Sequence, residues 1–184
     1  MLSDTPVAPA KMAHFVLVST QKDVLVDWYK TVLACEEVFA SERITFLTFD
    51  DEHHRLAIAQ NDSLAPRPAK ASGVAHIAFS YAELDQLLST YARLKAADIV
   101  PGWCVNHGMS TSMYYRDPDG NQIELQVDNF ATAAEGKAAF ASPAFAANTA
   151  GIDFDPDRLL ERRRAGTPVA ELLRPDAAPV EAAD

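Results

Sequence analysis

Much that would assign a function at once is missing from this chain of 184 residues. Cysteine is scarce: Cys35 and Cys104 are the only two, too few for a disulfide scaffold and in keeping with a reducing compartment. Glycine is scarce as well, and none of the seven is spaced G-x-G, which excludes the dinucleotide fingerprint; there is no P-loop either. H-E-x-x-H and C-x-x-C do not occur. G-x-S-x-G is approached only by Gly108-Met-Ser-Thr-Ser112, which lacks the second glycine. Nucleotide-binding, zinc-peptidase and esterase chemistry are therefore excluded. No apolar run nears the roughly 18 residues that span a bilayer, and the N-terminus MLSDTPVAPAKMAHF has no charged-then-apolar leader pattern. The expectation is a cytoplasmic protein with no membrane partner. Basic residues are outnumbered, 16 Lys and Arg against 26 Asp and Glu, for a net charge of −10, so nucleic acid is not an expected partner.

What is present is globular in composition, with 48% hydrophobic residues, and it repeats. KMAHFVLVST at 11–20 and GVAHIAFSYA at 73–82 are both apolar, strand-like runs with a histidine at the fourth position. Each leads into a helix-start signal, Thr20-x-x-Asp23 and Ser80-x-x-Glu83. Leu25, Trp28, Tyr29, Val32 and Leu33 then recur at helical spacing, as do Leu84, Leu87, Leu88, Tyr91 and Ala92. Three strand-like runs follow in each copy, about 35–40, 43–50 and 54–60, then about 98–105, 110–116 and 121–127. Asp117-Pro-Asp-Gly120 marks a turn between the last two. The predicted class is α+β, two βαβββ modules at about 10–62 and 73–128 forming one catalytic domain over 1–128. Residues 129–184 form an arm on the core or on a second subunit. The alanine-rich stretch 131–150 has little clear period. Asp155-Pro156 caps a short helix that runs to about Ala165 and stops at Gly166, and the last ten residues are expected to fray.

The chemistry concentrates on repeat-equivalent positions. His14 and His76 hold the same place in the two copies, and a pseudo-twofold pairing of the modules would let them meet. A core histidine has no reason to recur. On the last strand of the second copy, period two sets Gln122, Glu124 and Gln126 on one face and Ile123, Leu125 and Val127 on the other. A mid-strand acid inside a curved sheet is costly unless paired or metal-bound; on a solvent-facing strand it would be an ordinary surface acid. Two histidines and a carboxylate make the facial triad of non-haem Fe(II) sites. Matching Ile123-Glu124-Leu125 to Leu56-Ala57-Ile58 puts Ala57 where a fourth ligand would stand, leaving positions open for substrate and oxygen.

The run from His107 through Tyr114 and Asp117-Pro-Asp-Gly120 to Glu124 resembles the signature of type I extradiol ring-cleavage dioxygenases. Histidine, apolar residue, tyrosine, acid-Pro-x-Gly and glutamate all stand at their positions. These enzymes belong to the vicinal oxygen chelate (glyoxalase–bleomycin resistance–dioxygenase) superfamily. The resemblance covers about 10–128, and having one module pair points to the small one-domain members. It implies a cup-like sheet built from the paired modules, with His14, His76 and Glu124 as ligands of Fe(II), Mn(II) being the other metal that fits. It implies His54 as the acid–base histidine, and His107 and Tyr114 as residues that hydrogen-bond the substrate's oxygens. Strict alternation puts His54 and Ala57 on opposite faces, so His54 must sit where its strand begins and twists, whereas His53 reads as a solvated turn residue. Phe15, Phe46, Phe49, Trp103 and Met113 are candidate walls, with only one of Phe46 and Phe49 able to face inward. The implied function is extradiol cleavage of a catechol-type diol with O₂ in aromatic-compound catabolism. The alternatives are a metal-dependent glyoxalase- or epimerase-like isomerase, which would want a glutamate at Ala57, and a drug-binding resistance protein. Phe130, Phe140, Phe145 and Phe154 have no place in the repeat and point to a homodimer or higher homo-oligomer.

Overall fold

A computed structural model describes residues 5–65, 68 and 72–180. The chain divides into two units, Met1–Ala71 and Ser72–Asp184, each built on its own open sheet.

The first unit runs β1 (Phe15–Ser19), α1 (Lys22–Leu33), β2 (Glu36–Ala40), β3 (Ile44–Thr48) and β4 (Leu56–Gln60), with sheet order β1-β4-β3-β2. β1 pairs with β4 in parallel, and the other pairs are antiparallel. The apolar stripe of α1 buries Leu25, Tyr29 and Val32 over a sheet face carrying Leu47, Leu56 and Ile58. Each such side chain contributes roughly 1.5–3 kcal/mol on leaving water.

The second unit repeats the plan with β5 (Ile77–Tyr81), α2 (Leu84–Lys95), β6 (Trp103–Asn106), β7 (Ser110–Arg116) and β8 (Gln122–Asp128). Leu84, Leu87, Leu88, Tyr91 and Leu94 are the buried face of α2. The Asp117–Gly120 turn forms as its residues dictate. Asp117 Oδ1 accepts the backbone N–H of Asp119 (3.0 Å) and of Asn121 (2.8 Å), and Gly120 has φ +80. Both helix starts differ from the sequence reading. The N-caps are Gln21 and Glu83, not Thr20 and Ser80. Ser80 stays in β5, and Gln86 completes a capping box with Glu83. At α1 a distant side chain does the capping: Gln60 Oε1 accepts the Lys22 N–H at 3.0 Å.

The segment after 128 packs into the second unit. It contains α3 (Ala133–Ala139), α4 (Pro143–Ala147), β9 (Ile152–Asp153), α5 (Pro156–Arg164) and α6 (Val169–Leu172), and β9 extends the sheet to β5-β8-β7-β6-β9. Asp155 caps α5 with Pro156 at its first turn. The alanine-rich stretch holds two helices that its composition hides; their start signals are local, Thr132 with Glu135 and Ser142 before Pro143. α5 is tied to α2 by the Tyr91 hydroxyl donating to Asp157 (2.8 Å) and Lys95 Nζ bonding the same carboxylate (2.6 Å). Arg163 adds a two-point bond to Asp85, Nη2 to Oδ2 at 2.7 Å. Fraying does not begin at residue 175. Ala177 and Ala178 are buried, and Asp155 N–H donates to the Ala178 carbonyl at 2.8 Å; residues 181–184 lie outside the described residues. Among the described residues no helix is long and apolar enough to cross a membrane.

Candidate active site

In both sheets the parallel pair has one register. Phe15, which follows His14, faces Leu56, and Ile77, which follows His76, faces Ile123. Ala57 in the first sheet therefore occupies the place of Glu124 in the second, as the repeat requires. The same alternation moves two candidate walls. Met113 pairs with Leu125 and is fully buried on the face opposite Glu124, and Phe15 lies on the face opposite the one that Val16 shares with Ala57.

The second unit sets His76 one residue before β5 and Glu124 beside Ala78 on β8. His76 Nε2 is 3.0 Å from Glu124 Oε2, and the Glu124 side chain is only 6% exposed. Tyr114 lies directly across β7–β8 from Glu124, and its hydroxyl is 3.0 Å from His107 Nε2. Burial, then the adjacent Glu124 charge, push the Tyr114 phenol above its usual range, so it keeps its proton. His107 follows β6, in a loop that Asn106 and Asn129 hold: Asn106 Oδ1 accepts the Gly108 N–H (2.8 Å), and Asn129 Nδ2 donates to the Gly108 carbonyl (3.1 Å). Trp103 stands across β6–β7 from Tyr114 and stacks on it, rings 4.7 Å apart at 22°.

In the first unit the His14 ring lies 4.3 Å from that of His54. Arg55 fixes the approach to β1 by donating to the carbonyls of Met12 (2.7 Å) and Ala13 (3.0 Å). His54 precedes β4 by two residues, where strand alternation does not yet bind it. Its ring sits edge-on to Phe46 at 4.9 Å, and Phe46 is the strand neighbour of Ala57. Phe49 lies past the end of β3. Burial, and then the neighbouring His14 and His53, hold the His54 imidazole below its ordinary pKa, so the ring is neutral and can accept a proton at neutral pH. His53 is exposed, its Nδ1 2.6 Å from that of His54. Burial pushes the Cys35 and Cys104 thiols up to about 12, which leaves both protonated and unsuited to nucleophilic chemistry.

The donor set fits a divalent metal. Glu124 is a buried carboxylate whose partners among the described residues are an imidazole and a phenol, with no lysine or arginine to neutralise it. That is a costly arrangement for an acid by itself and a normal one for a metal ligand. Among the described residues no three His, Cys, Asp or Glu side chains gather around one point.

The sequence profile of the Glyoxalase/Bleomycin resistance protein/Dioxygenase superfamily matches residues 11–125, which spans both repeats. The chain belongs to this superfamily. Superfamily structures share the fold. A glyoxalase/dioxygenase from Nostoc punctiforme superposes with a TM-score of 0.56 at 18% identity, over 69% of this chain and 99% of its own. The lactoylglutathione lyase from Agrobacterium tumefaciens gives 0.53 at 20%, over 65% and 94%. Two relatives from Rhodococcus globerulus are far nearer in sequence. Biphenyl-2,3-diol 1,2-dioxygenase 2 is 42% identical over 163 residues, 88% of this chain and 86% of its own length. Biphenyl-2,3-diol 1,2-dioxygenase 3 is 40% identical over 164 residues, with the same coverage. An alignment of that length cannot fit within the first 128 residues, so it runs well into the segment that the superfamily profile leaves unmatched.

Two residues near this site escaped the sequence reading. The Ala150 carbonyl lies 2.7 Å from His107 Nδ1, and Asp153 Oδ1 accepts the Trp103 indole N–H at 2.8 Å. Neither carries a motif, because one acts through its backbone and the other through a two-residue strand.

Proposed function

We propose that this protein cleaves a catechol-type aromatic diol with O₂ in the extradiol manner, within aromatic-compound catabolism in the cytoplasm. The observation that carries the reading is the 40–42% identity to the two Rhodococcus dioxygenases over 88% of the chain. In those relatives' name the hydroxyls are on carbons 2 and 3 and the dioxygenation is at 1,2, so the bond cut lies beside the diol and not within it. The two modules over residues 1–128 act as one catalytic domain, and His14, His76 and Glu124 hold one Fe(II), with Mn(II) as the competing ion. The repeat-equivalent histidines and the buried, cation-free Glu124 support that ligand set. When bound, such an ion lowers the pKa of a coordinated hydroxyl and leaves positions open for diol and oxygen.

The remaining groups manage protons and orientation. His54, held neutral, would take a hydroxyl proton from the diol and return it to an O₂-derived oxygen as the O–O bond breaks, the usual exchange of a general base that becomes a general acid. Tyr114, held protonated, hydrogen-bonds a substrate hydroxyl, and His107 orients the Tyr114 hydroxyl through Nε2. Trp103, stacked on Tyr114, supplies a flat apolar wall. The alanine at 57 is the feature that separates this site from an isomerase with a second glutamate ligand.

The test is an oxygen electrode run on anaerobically purified, iron-analysed protein against a panel of catechols. The expected result is one O₂ consumed per diol and a ring-opened product, yellow at alkaline pH. A cis,cis-muconate product, or no uptake with any catechol, overturns the reading.

The protein acts as a homodimer or larger homo-oligomer. Val38 and Phe39 are both about half exposed on the edge strand β2, and Phe140 is 55% exposed, apolar surface that a second subunit would cover. Light scattering should give at least twice the 20.0 kDa chain mass. A clean monomer at micromolar concentration contradicts this.

A further inference from the structure

We infer that the turn at 148–153 of the C-terminal segment is the positioning element of His107 and Trp103, holding His107 as its Nδ1–H tautomer so that the Nε2 lone pair faces the Tyr114 hydroxyl. This rests on the reading above, in which Tyr114 and His107 face the substrate.

The proton count leads to it. His107 Nδ1 is 2.7 Å from the Ala150 carbonyl oxygen, which can only accept, so the hydrogen is on Nδ1. In the neutral ring Nε2 is then an acceptor, 3.0 Å from the Tyr114 hydroxyl. Tyr114 has one hydrogen to give, and with this acceptor 3.0 Å away it points to His107. The opposite tautomer would donate from Nε2 to the Tyr114 oxygen and turn the phenol hydrogen away from His107. Which nitrogen of His107 is protonated therefore decides where the Tyr114 O–H points.

The turn is built to hold that carbonyl in place. The Asn148 side chain closes it three times: Oδ1 accepts the Ala150 N–H (3.1 Å) and the Gly151 N–H (3.0 Å), and Nδ2 donates to the Gly151 carbonyl (2.7 Å). Gly151 has φ +97, and a Cβ there would stand 2.4 Å from the carbonyl oxygen of Asn106, the residue before His107. The turn leads straight into β9, where Asp153 anchors the Trp103 indole, and Trp103 in turn stacks on Tyr114. The superfamily profile ends at 125, whereas the alignments with the two Rhodococcus dioxygenases run well into the arm that contains this turn. The arm is thus shared with the dioxygenases and is no part of the common superfamily profile.

The experiment is ring-nitrogen NMR of the full chain labelled with ¹⁵N-histidine, at about pH 9, well above the ordinary imidazole pKa. His107 is assigned by its loss in His107→Gln. Wild type should show Nδ1 protonated and Nε2 bare. Asn148→Ala, an exposed-turn change that leaves the core untouched, should yield a mixture of tautomers and a kcat lower by roughly 10–100-fold, the range seen when the orienting partner of a site residue is lost. Asn148→Asp keeps the Oδ1 acceptor for the Ala150 and Gly151 N–H groups but loses the Nδ2 donor to the Gly151 carbonyl, and should restore the Nδ1–H form and kcat in part. A wild-type His107 protonated on Nε2 overturns the inference, and so does Asn148→Ala with an unmixed Nδ1–H tautomer. A mixed tautomer with unchanged kcat overturns the turn's part in turnover. A wild-type chain with the Nδ1–H tautomer that consumes no O₂ with any catechol overturns the functional reading instead and leaves the turn's hold on His107 standing.

Discussion

Glu124→Ala is expected to leave the chain almost free of iron after anaerobic reconstitution and to abolish oxygen uptake, where wild type carries about one iron per chain. Losing a residue that merely supports a ligand lowers metal affinity by roughly 10–100-fold, so losing a ligand itself should exceed that. His76→Ala and His14→Ala should behave alike if the three form one site. The metal-free proteins offer a second measurement that separates binding from folding. Glu124 is buried with His76 and Tyr114 for company and no lysine or arginine. Without metal it is a burden on the fold, since a buried charge that lacks a good partner costs more than it returns. Metal-free Glu124→Ala should therefore unfold in urea no earlier than metal-free wild type, while the stabilisation that added Fe(II) gives wild type is lost. Near-full iron occupancy in any of the three variants would sink the ligand set.

His54→Ala should keep its iron and bind catechol, yet lose kcat by roughly 10²–10⁴, the span associated with removing a general acid–base group. The physical ground is the state of the ring. Burial and the neighbouring His14 hold His54 below its ordinary pKa, so the ring enters the reaction neutral. The His14 and Phe46 rings pack against it at 4.3 and 4.9 Å, so its direction is fixed before any substrate arrives. Binding is measured by anaerobic titration with catechol and turnover by oxygen uptake on the same preparation. Wild-type kcat would remove His54 from the acid–base role, and loss of iron would show instead that it supports the metal.

Different parts of this molecule were legible to different degrees. The equivalence of His14 with His76 and of Ala57 with Glu124 could be read from the repeat, since one histidine per apolar run and strict alternation are local signals; the common register of β1–β4 and β5–β8 follows from them. The helix starts were less legible. Thr20 and Ser80 look like caps, yet at α1 the Lys22 N–H is met by Gln60, which only sheet formation brings near. Met113 cannot be a site wall, since it adjoins Tyr114 on β7 and alternation turns it to the opposite face, where it pairs with Leu125. The helices α3 and α4 were hidden by alanine-rich composition with no apolar period to reveal them, and neither buries a residue.

The sequence by itself determined the two repeated modules, the Asp117–Gly120 turn, the capped helix at Asp155 and the residue types able to bind a metal. Each is written in side-chain chemistry within a few positions. The tertiary structure alone decided what surrounds them: that Glu124 is buried beside His76, that Tyr114 stands between Glu124 and His107, and that Ala150 and Asp153 reach back to His107 and Trp103 across 43 and 50 residues. A backbone carbonyl has no residue type, and a two-residue strand has no period. Contacts made that way exist only once the chain has folded far enough to bring them together.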